Sequence, residues 1–519
     1  MALTVTTDLT VITSAEAADD ANWVGIGSGG GDAQETDFFV QGSASRSRAV
    51  NTATEKGMWY SFGAINFETN DDLIYIWLAT YIPGLADTIA NGGFSIWVGS
   101  STSNYDEFYI GGSDYGIEST DFFKCYVIDP QGTPSTTGGS GCDTTAVTHI
   151  GATIDPTGSS KGQTIGIDQI AYGQGIIRGT GTATTGLGFK DLADADVDVN
   201  NRYGIITEKN GVFYVQGKII IGDDSGTLAT TFTSENETVV FTTPMYHNGT
   251  NRVQAVPDEN PSGANYWGLD IVGNATGATS VTIGSQVGST LFGRSGSSFS
   301  VAANPEISSG ETRQSVKMTI GANVNDVDVF GSTFNNFTTV DTGEDVFDLN
   351  TLDVNDLWYS NTWNGCGQVD VGGGKVRNCF FISTDHTATA TGQLVWLPGT
   401  TDVESCQFID YGDAAIYMPD SNAGAGDTWT NLTFDLSGTD EMNYTDTEAQ
   451  TITIAGANAT SAASLTSDDT TGATTFSGAV TVTIEVVDLD DTAIENAAVG
   501  VFAVDDNSQI MNELTLASG

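Results

Sequence analysis

Hydrophobic and polar positions alternate in short runs from the start of the chain. Leu3, Val5 and the stretch from Leu9 to Ile12 open the series. Met58-Trp59-Tyr60-Ser61-Phe62, Ile74-Tyr75-Ile76-Trp77-Leu78, Phe94-Ser95-Ile96-Trp97-Val98 and Phe108-Tyr109-Ile110 follow. Val212-Phe213-Tyr214-Val215 then leads into Lys218-Ile219-Ile220-Ile221. Runs this short, rich in aromatic and β-branched residues and cut by Asn91-Gly92-Gly93 or Asn210-Gly211, read as strands joined by tight turns. No helical period of useful length interrupts them. Residues 1–222 are therefore expected to form a jelly-roll-like β-sandwich. Its aromatics, among them Trp23, Trp59, Trp77, Trp97, Tyr105, Tyr109 and Tyr115, read first as core and second as stacking surfaces for sugars. The Gly/Ser/Thr-rich segment from Pro130 to Gly141 reads as a mobile loop. It lies between Cys125 and Cys142, which are either bridged or left as two thiols.

The pattern changes over residues 223–475. An apolar residue, any residue, a small residue, two variable residues and an aromatic recur as Val329-Phe330-Gly331-Ser332-Thr333-Phe334 and Trp358-Tyr359-Ser360-Asn361-Thr362-Trp363. The motif returns as Val376-Arg377-Asn378-Cys379-Phe380-Phe381, Val403-Glu404-Ser405-Cys406-Gln407-Phe408 and Trp429-Thr430-Asn431-Leu432-Thr433-Phe434. Its starts are spaced by 29, 18, 27 and 26 residues. A strand-bearing repeat of that size predicts a β-solenoid, in which each coil adds one short strand per face and like residues stack. Phe334, Trp363, Phe381, Phe408 and Phe434 should form one interior stack. Cys379 should lie over Cys406 as a thiol, because parallel stacking does not aim the two sulfurs at each other. Thr282 to Val287 and Thr319 to Val324 read as a weaker pair on another face.

Residues 476–519 hold two alternating runs, Val480 to Asp488 and Ile494 to Phe502, which read as the start of an Ig-like sandwich. Two strands are marginal alone. Completion by neighbouring subunits or by further sequence is expected, so the chain should be a homo-oligomer.

Composition supports all-β. Gly counts 63 of 519 residues and Pro only 10. Lys and Arg total 16 against 66 Asp and Glu, a formal charge of −50. Such a field repels phosphate backbones and anionic membrane surfaces, which argues against nucleic-acid binding. No apolar run approaches the ~18 residues of a membrane span. The N-terminal stretch carries neither the basic nor the apolar region of a secretory signal, so a protein of surface-type composition is expected to leave its cell by lysis, as virion components do. Five Cys without a CxxC pair and three His make a zinc ribbon or multi-His centre a poor fit.

Several segments resemble structural proteins of tailed bacteriophages. Tyr266 to Gly277 with Thr279 to Gly284 resembles the entry into a pectate-lyase-like right-handed β-helix, and Asn364 to Gln368 with Val376 to Phe381 is similar to the same group. Tyr214 to Asp223 resembles the N-terminal sandwich of such proteins. The resemblance implies an all-β string: N-terminal β-sandwich (1–222), right-handed parallel β-helix (223–475) and Ig-like C-terminal piece (476–519). It further implies a virion-surface location as tail fibre, tailspike or head decoration, and a homotrimer contacting other virion proteins and a host surface glycan.

Phage β-helix spikes often cleave polysaccharides with paired carboxylates. Asp402, Glu404, Asp410 and Asp413 are the catalytic candidates, with Trp396 and Tyr411 as candidate sugar contacts. The bland reading is that so acidic a chain clusters carboxylates everywhere. A non-enzymatic host-binding protein is accordingly the first reading and a depolymerase the alternative. Asp194, Asp196 and Asp198 alternate as in a calcium loop, but Val199 and Ile205 stand where an EF-hand has Gly and Glu. No cofactor is expected, Ca2+ in this loop being the one candidate.

Overall fold

A computed structural model describes residues 4–16, 21–27, 32–50, 55–80, 94–110, 123–154, 163–182, 187–198, 201–224, 229–234, 237–242, 245–247, 252–255, 267–273, 279–284, 298–301, 316–321, 323–337, 347–349, 352–382, 392–412, 414–420, 426–436, 438–470, 472–478, 488, 494, 498–502 and 509–514. These residues are all-β, distributed over several sheets. One short helix, Phe189–Ala195, occurs where the alternation suggested only strands. It buries Phe189, Leu192 and Ala193, and Gly188 starts it with its N–H held by the Asp191 carboxylate.

Two sheets are largely antiparallel. A six-stranded sheet runs in the order Phe123–Ile128, Leu73–Thr80, Gln163–Gly173, Ser45–Val50, Asp32–Glu35, with Thr10–Thr13 also paired to Gln163–Gly173. An eight-stranded sheet runs Arg252–Gln254, Met245–His247, Tyr105–Tyr109, Phe94–Gly99, Val147–Ile154, Lys56–Ile65, Trp23–Ile26. Its eighth strand, Thr136–Gly138, lies within the segment read from the sequence as a mobile loop and pairs with Tyr105–Tyr109. Strand periodicity sends Met58, Ile96, Phe108, Ile150 and Ala152 to one face, where they are buried. In the six-stranded sheet, Leu73 to Ala79 is buried on both faces.

The remaining long sheets are parallel apart from the antiparallel pairs Thr4–Thr7 with Ile176–Thr180 and Ile206–Lys209 with Val212–Val215, and they are visited in rotation. Val316–Ile320, Asp326–Phe330 and Thr333–Asn335 lie in three different sheets. Phe347–Asp348, Leu357–Tyr359 and Thr362–Asn364 add one strand to each, as do Val369–Asp370, Lys375–Arg377 and Phe380–Ile382. The winding places Phe334 opposite Trp363, then Phe381, Phe408 and Phe434. Their rings stack at centroid distances of 5.8, 4.8, 4.9 and 5.1 Å, with interplanar angles of 17° or less. The expected interior stack is present.

A polar column runs beside it. The Ser332 N–H donates to Asn361 Oδ1 (2.8 Å), the Asn361 N–H to Cys379 Sγ (3.3 Å) and the Cys379 N–H to Cys406 Sγ (3.4 Å). Cys379 and Cys406 are neighbouring thiols as expected, and Cys125 and Cys142 are likewise free. The third motif position explains its small residues. Gly331, Ser360, Asn378, Ser405 and Asn431 all take left-handed backbone, with φ of 58°, 57°, 54°, 58° and 52°, to turn the chain from one sheet to the next.

Sheet membership interleaves across residue 222. Ile176–Thr180, Ile206–Lys209, Val212–Val215 and Lys218–Ile221 already belong to the rotating sheets, whereas Met245–His247 and Arg252–Gln254 return to the eight-stranded one. The weaker sequence pair is not a pair of equivalents, since Thr279–Ile283 and Val316–Ile320 lie in different sheets. Ala498–Phe502 and Gln509–Leu514 form a two-stranded antiparallel sheet. The run from Val480 to Val487 lies outside the described residues.

Candidate functional site

Two of the carboxylates chosen from the sequence, Asp402 and Glu404, share one guanidinium. In Asp402–Glu404, Val403 points inward, so both acids point outward. Arg377, on the strand below, holds Asp402 Oδ1 with Nη2 (2.6 Å) and Glu404 Oε2 with Nε (3.4 Å). Asp410 is exposed at a left-handed bend (φ 51°) that ends a strand of another sheet, and its N–H donates to Asp435 Oδ2. Asp413 lies outside the described residues. Trp396 and Tyr411 are interior rather than sugar platforms, each 2 % exposed or less. The Trp396 indole donates to Asp427, and the Tyr411 hydroxyl to Glu441 Oε1 (3.1 Å). Of the carboxylates expected to lie together, Asp402 and Glu404 share one strand and Asp410 sits at a bend after a strand of another sheet.

The candidate calcium residues also diverge. Asp194 is on the exposed side of the helix, paired with Lys190 one turn earlier. Asp196 closes that helix and is buried, 1 % exposed. Asp198 lies in the two-residue strand Val197–Asp198. The helix over 189–195 takes Asp194 out of the continuous loop that an EF-hand uses. Among the described residues no group of three or more His, Cys, Asp or Glu is placed to hold a metal ion.

The most elaborate polar and aromatic group lies elsewhere, on the other face of the eight-stranded sheet. Register sets Glu107 beside Trp97, Trp97 beside Gly151, and Gly151 beside Trp59, across four neighbouring strands. The absent side chain at Gly151 lets the two indoles approach edge to face at 5.7 Å. Tyr105 stacks on Trp97 at 4.0 Å and 16°, and His149 lies 5.1 Å from Trp59. Both indoles are buried, while Tyr105 and His149 are half-buried. The Glu107 carboxyl meets the Ser95 hydroxyl and the carboxyl of Glu55, and Glu55 Oε1 accepts from Thr153 Oγ1 (2.7 Å).

Electrostatics follow from that packing. Burial, then the Glu55 charge, raises Glu107 to about 7. Glu107 is therefore partly protonated near neutrality. Burial, then Glu107 and Glu55, raises the Tyr105 phenol. Burial lowers His149, favouring its neutral ring. The Trp59 indole N–H is buried without a hydrogen-bond partner. A carboxyl that titrates near neutrality can donate to a hydroxyl or accept from one, and the half-buried Tyr105 ring beside it suits the C–H face of a sugar. Sequence reading named these aromatics but missed Glu55 and Glu107. Alternation in Tyr105-Asp106-Glu107-Phe108-Tyr109 does put Glu107 on the Tyr face, but only strand order brings Glu55 to it.

No protein-family model matches the chain. No curated protein matches it either. Among solved structures it is similar to an exo-β-agarase at 11% identity and TM-score 0.23, over 31% of this chain and 24% of that one. A carbohydrate-binding module of the β-sandwich superfamily is similar at 14% identity and TM-score 0.23, over 31% of this chain and 61% of that one. The catalytic domain of a GH87 α-1,3-glucanase in complex with tetrasaccharides is similar at 6% identity and TM-score 0.20, over 92% of this chain and 98% of that one. The chain thus spans less than two thirds of the agarase and of the binding module, and likenesses this faint assign neither fold nor activity.

Proposed function

We propose that the chain is a non-enzymatic surface protein of a tailed-phage virion, a fibre, spike or head decoration that contacts a host surface glycan. In this reading the two antiparallel sheets are a jelly-roll-like sandwich, the rotating parallel sheets are a right-handed β-helix, and the C-terminal strands begin an Ig-like piece. The functional particle is a homotrimer joined to other virion proteins.

The observation that carries the glycan contact is the Glu55–Glu107 pair set among Tyr105, Trp97, Trp59 and His149. It combines hydroxyl-binding carboxyls with ring faces, and Tyr105 and His149 form its more accessible part. Arg377 pairs with both Asp402 and Glu404 in the coil, which weighs against their use as a free acid and base.

Calorimetric titration with host surface polysaccharides tests this reading. Tyr105→Ala and Glu107→Gln should each weaken binding at least ~10-fold while circular dichroism stays unchanged. Binding unaffected by both variants would remove the assigned contact. New reducing ends that vanish in Asp410→Ala would instead establish the depolymerase.

A further inference from the structure

The seam between the six-stranded sheet and the first turns of the coil is fastened by polar contacts. Tyr75 Oη donates to the Gln216 carbonyl (2.7 Å), and Trp77 Nε1 to the Arg202 carbonyl (2.7 Å). Gln216 Nε2 reaches the carbonyls of Gly204 (3.2 Å) and Cys125 (3.4 Å). The Arg202 guanidinium lies 5.3 Å from the centre of the Trp77 ring. The chain also crosses the seam beside Asp8, whose carboxylate takes the N–H groups of Gln174 (2.6 Å) and Ile176 (2.7 Å).

Asp196 is enclosed in this seam. Its Oδ2 accepts the Gly204 N–H (2.9 Å), while its buried Oδ1 has no hydrogen-bond partner. An ionised carboxylate with one unsatisfied oxygen is costly in such a place, and a neutral carboxylic acid far less so. Burial accordingly lifts Asp196 to about 7, against the lowering pull of the Gly204, Ile206 and Ile205 N–H groups and of Arg202.

The charged and titratable groups around it come from several elements. Arg202 faces it from the following strand, Tyr75 from Leu73–Thr80 and Cys125 from Phe123–Ile128. Lys124 acts on Cys125, and Asp8 on Tyr75. On its own helix, Lys190 pairs with Asp194, and Asp191 holds the Gly188 N–H. Burial holds Tyr75 and Cys125 well above their ordinary values, so neither ionises below neutrality. Asp196 and Asp8 are left as the groups that can titrate there.

We propose that Asp196 is a proton-held latch: while its carboxyl is neutral, residues 201–206 stay seated against Leu73–Thr80 and Phe123–Ile128, and loss of the proton loosens the seam between the antiparallel sheets and the coil. The sign follows from linkage. The closed seam keeps the proton up to about pH 7, whereas an open, solvated Asp196 gives it up near the ordinary carboxylate value. The closed state therefore has its full advantage in acid and loses it progressively as pH rises to about 7. The latch is independent of the glycan reading.

Hydrogen exchange on the full chain at pH 5 and 7.5, corrected for intrinsic rates, tests it. Amides of residues 202–206 should lose roughly 50-fold in protection between the two, one factor of ten for each pH unit over most of that window. Amides of residues 376–382 in the coil are the control and should change far less. Asp196→Asn, neutral at every pH, should abolish the dependence, and Asp8→Asn should leave it. Equal protection at both pH values in the wild type would overturn the latch, whether or not the Asp196→Asn variant folds. So would a dependence that survives Asp196→Asn or disappears in Asp8→Asn.

Discussion

Phe408 shows how much one side chain in the stacked parallel sheets carries. It is fully buried between Phe381 and Phe434, with ring centroids 4.9 and 5.1 Å away. Phe408→Ala removes contacts on both sides and leaves a void that parallel strands, fixed in register, cannot close. It should cost about 3–5 kcal/mol, read from the urea midpoint of the coil's unfolding transition. Asp402 and Glu404 predict the opposite. Both are partly exposed, at 47% and 40%, and share one guanidinium. Asp402→Asn or Glu404→Gln should move that midpoint by less than ~1 kcal/mol. The same contrast marks what was legible at this scale. Buried aromatics announce themselves by type and spacing, whereas the acids beside them look alike in sequence whether they are paired, bent away or interior. Trp396 and Tyr411 were misread for a related reason: an aromatic near acids looks like a sugar platform until its depth is known.

At the scale of the strand and its turn, the stacked parallel strands were legible because in-register pairing repeats the same demand along each sheet. The third motif position had to be Gly, Ser or Asn because the backbone there is left-handed in all five copies. Asn378 (φ 54°) offers a direct check. Asn378→Val puts a β-branched residue where it is most strained and should cost about 1–2 kcal/mol or more, while Asn378→Gly should be close to neutral. Equal midpoints for the two variants in parallel urea titrations would mean that the turn does not hold this conformation. The antiparallel sheets made no such repeated demand. Glu55 and Glu107 meet only because Phe94–Gly99 and Val147–Ile154 lie between their strands, an order fixed by long-range pairing that alternation cannot reveal. The boundary at residue 222 was hidden likewise, because Ile176–Thr180 and Lys218–Ile221 alternate like their neighbours yet pair with coil strands.

Over the whole molecule, burial of acids in a chain of charge −50 sets how stability responds to pH. Among the described residues, the carboxyls whose titration the fold displaces are raised, with Asp168 at about 6 and Asp196 and Glu107 at about 7. Asp168 is fully buried; its carboxylate accepts the N–H groups of Val40 and Gln41 and the Gln41 side-chain amide, yet burial outweighs them. A group raised on folding binds its proton more tightly in the folded chain. Between about pH 4 and pH 7 the folded state therefore holds more protons than the unfolded one, and stability must fall as pH rises across that window. Rising negative charge on an already acidic surface acts in the same direction. Across the range from pH 5 to 8 the melting temperature should accordingly be highest at the acid end and decline as pH rises, by several degrees for each kcal/mol lost in a domain of ordinary size. Asp168→Asn cannot ionise and keeps a polar group of similar shape. It should flatten the part of the decline below about pH 6 and leave the remainder, which belongs to Asp196 and Glu107. Scanning calorimetry of both proteins from pH 5 to 8 at fixed ionic strength reads this directly. A melting temperature that climbs with pH would mean that these carboxyls are ionised and well paired inside the fold.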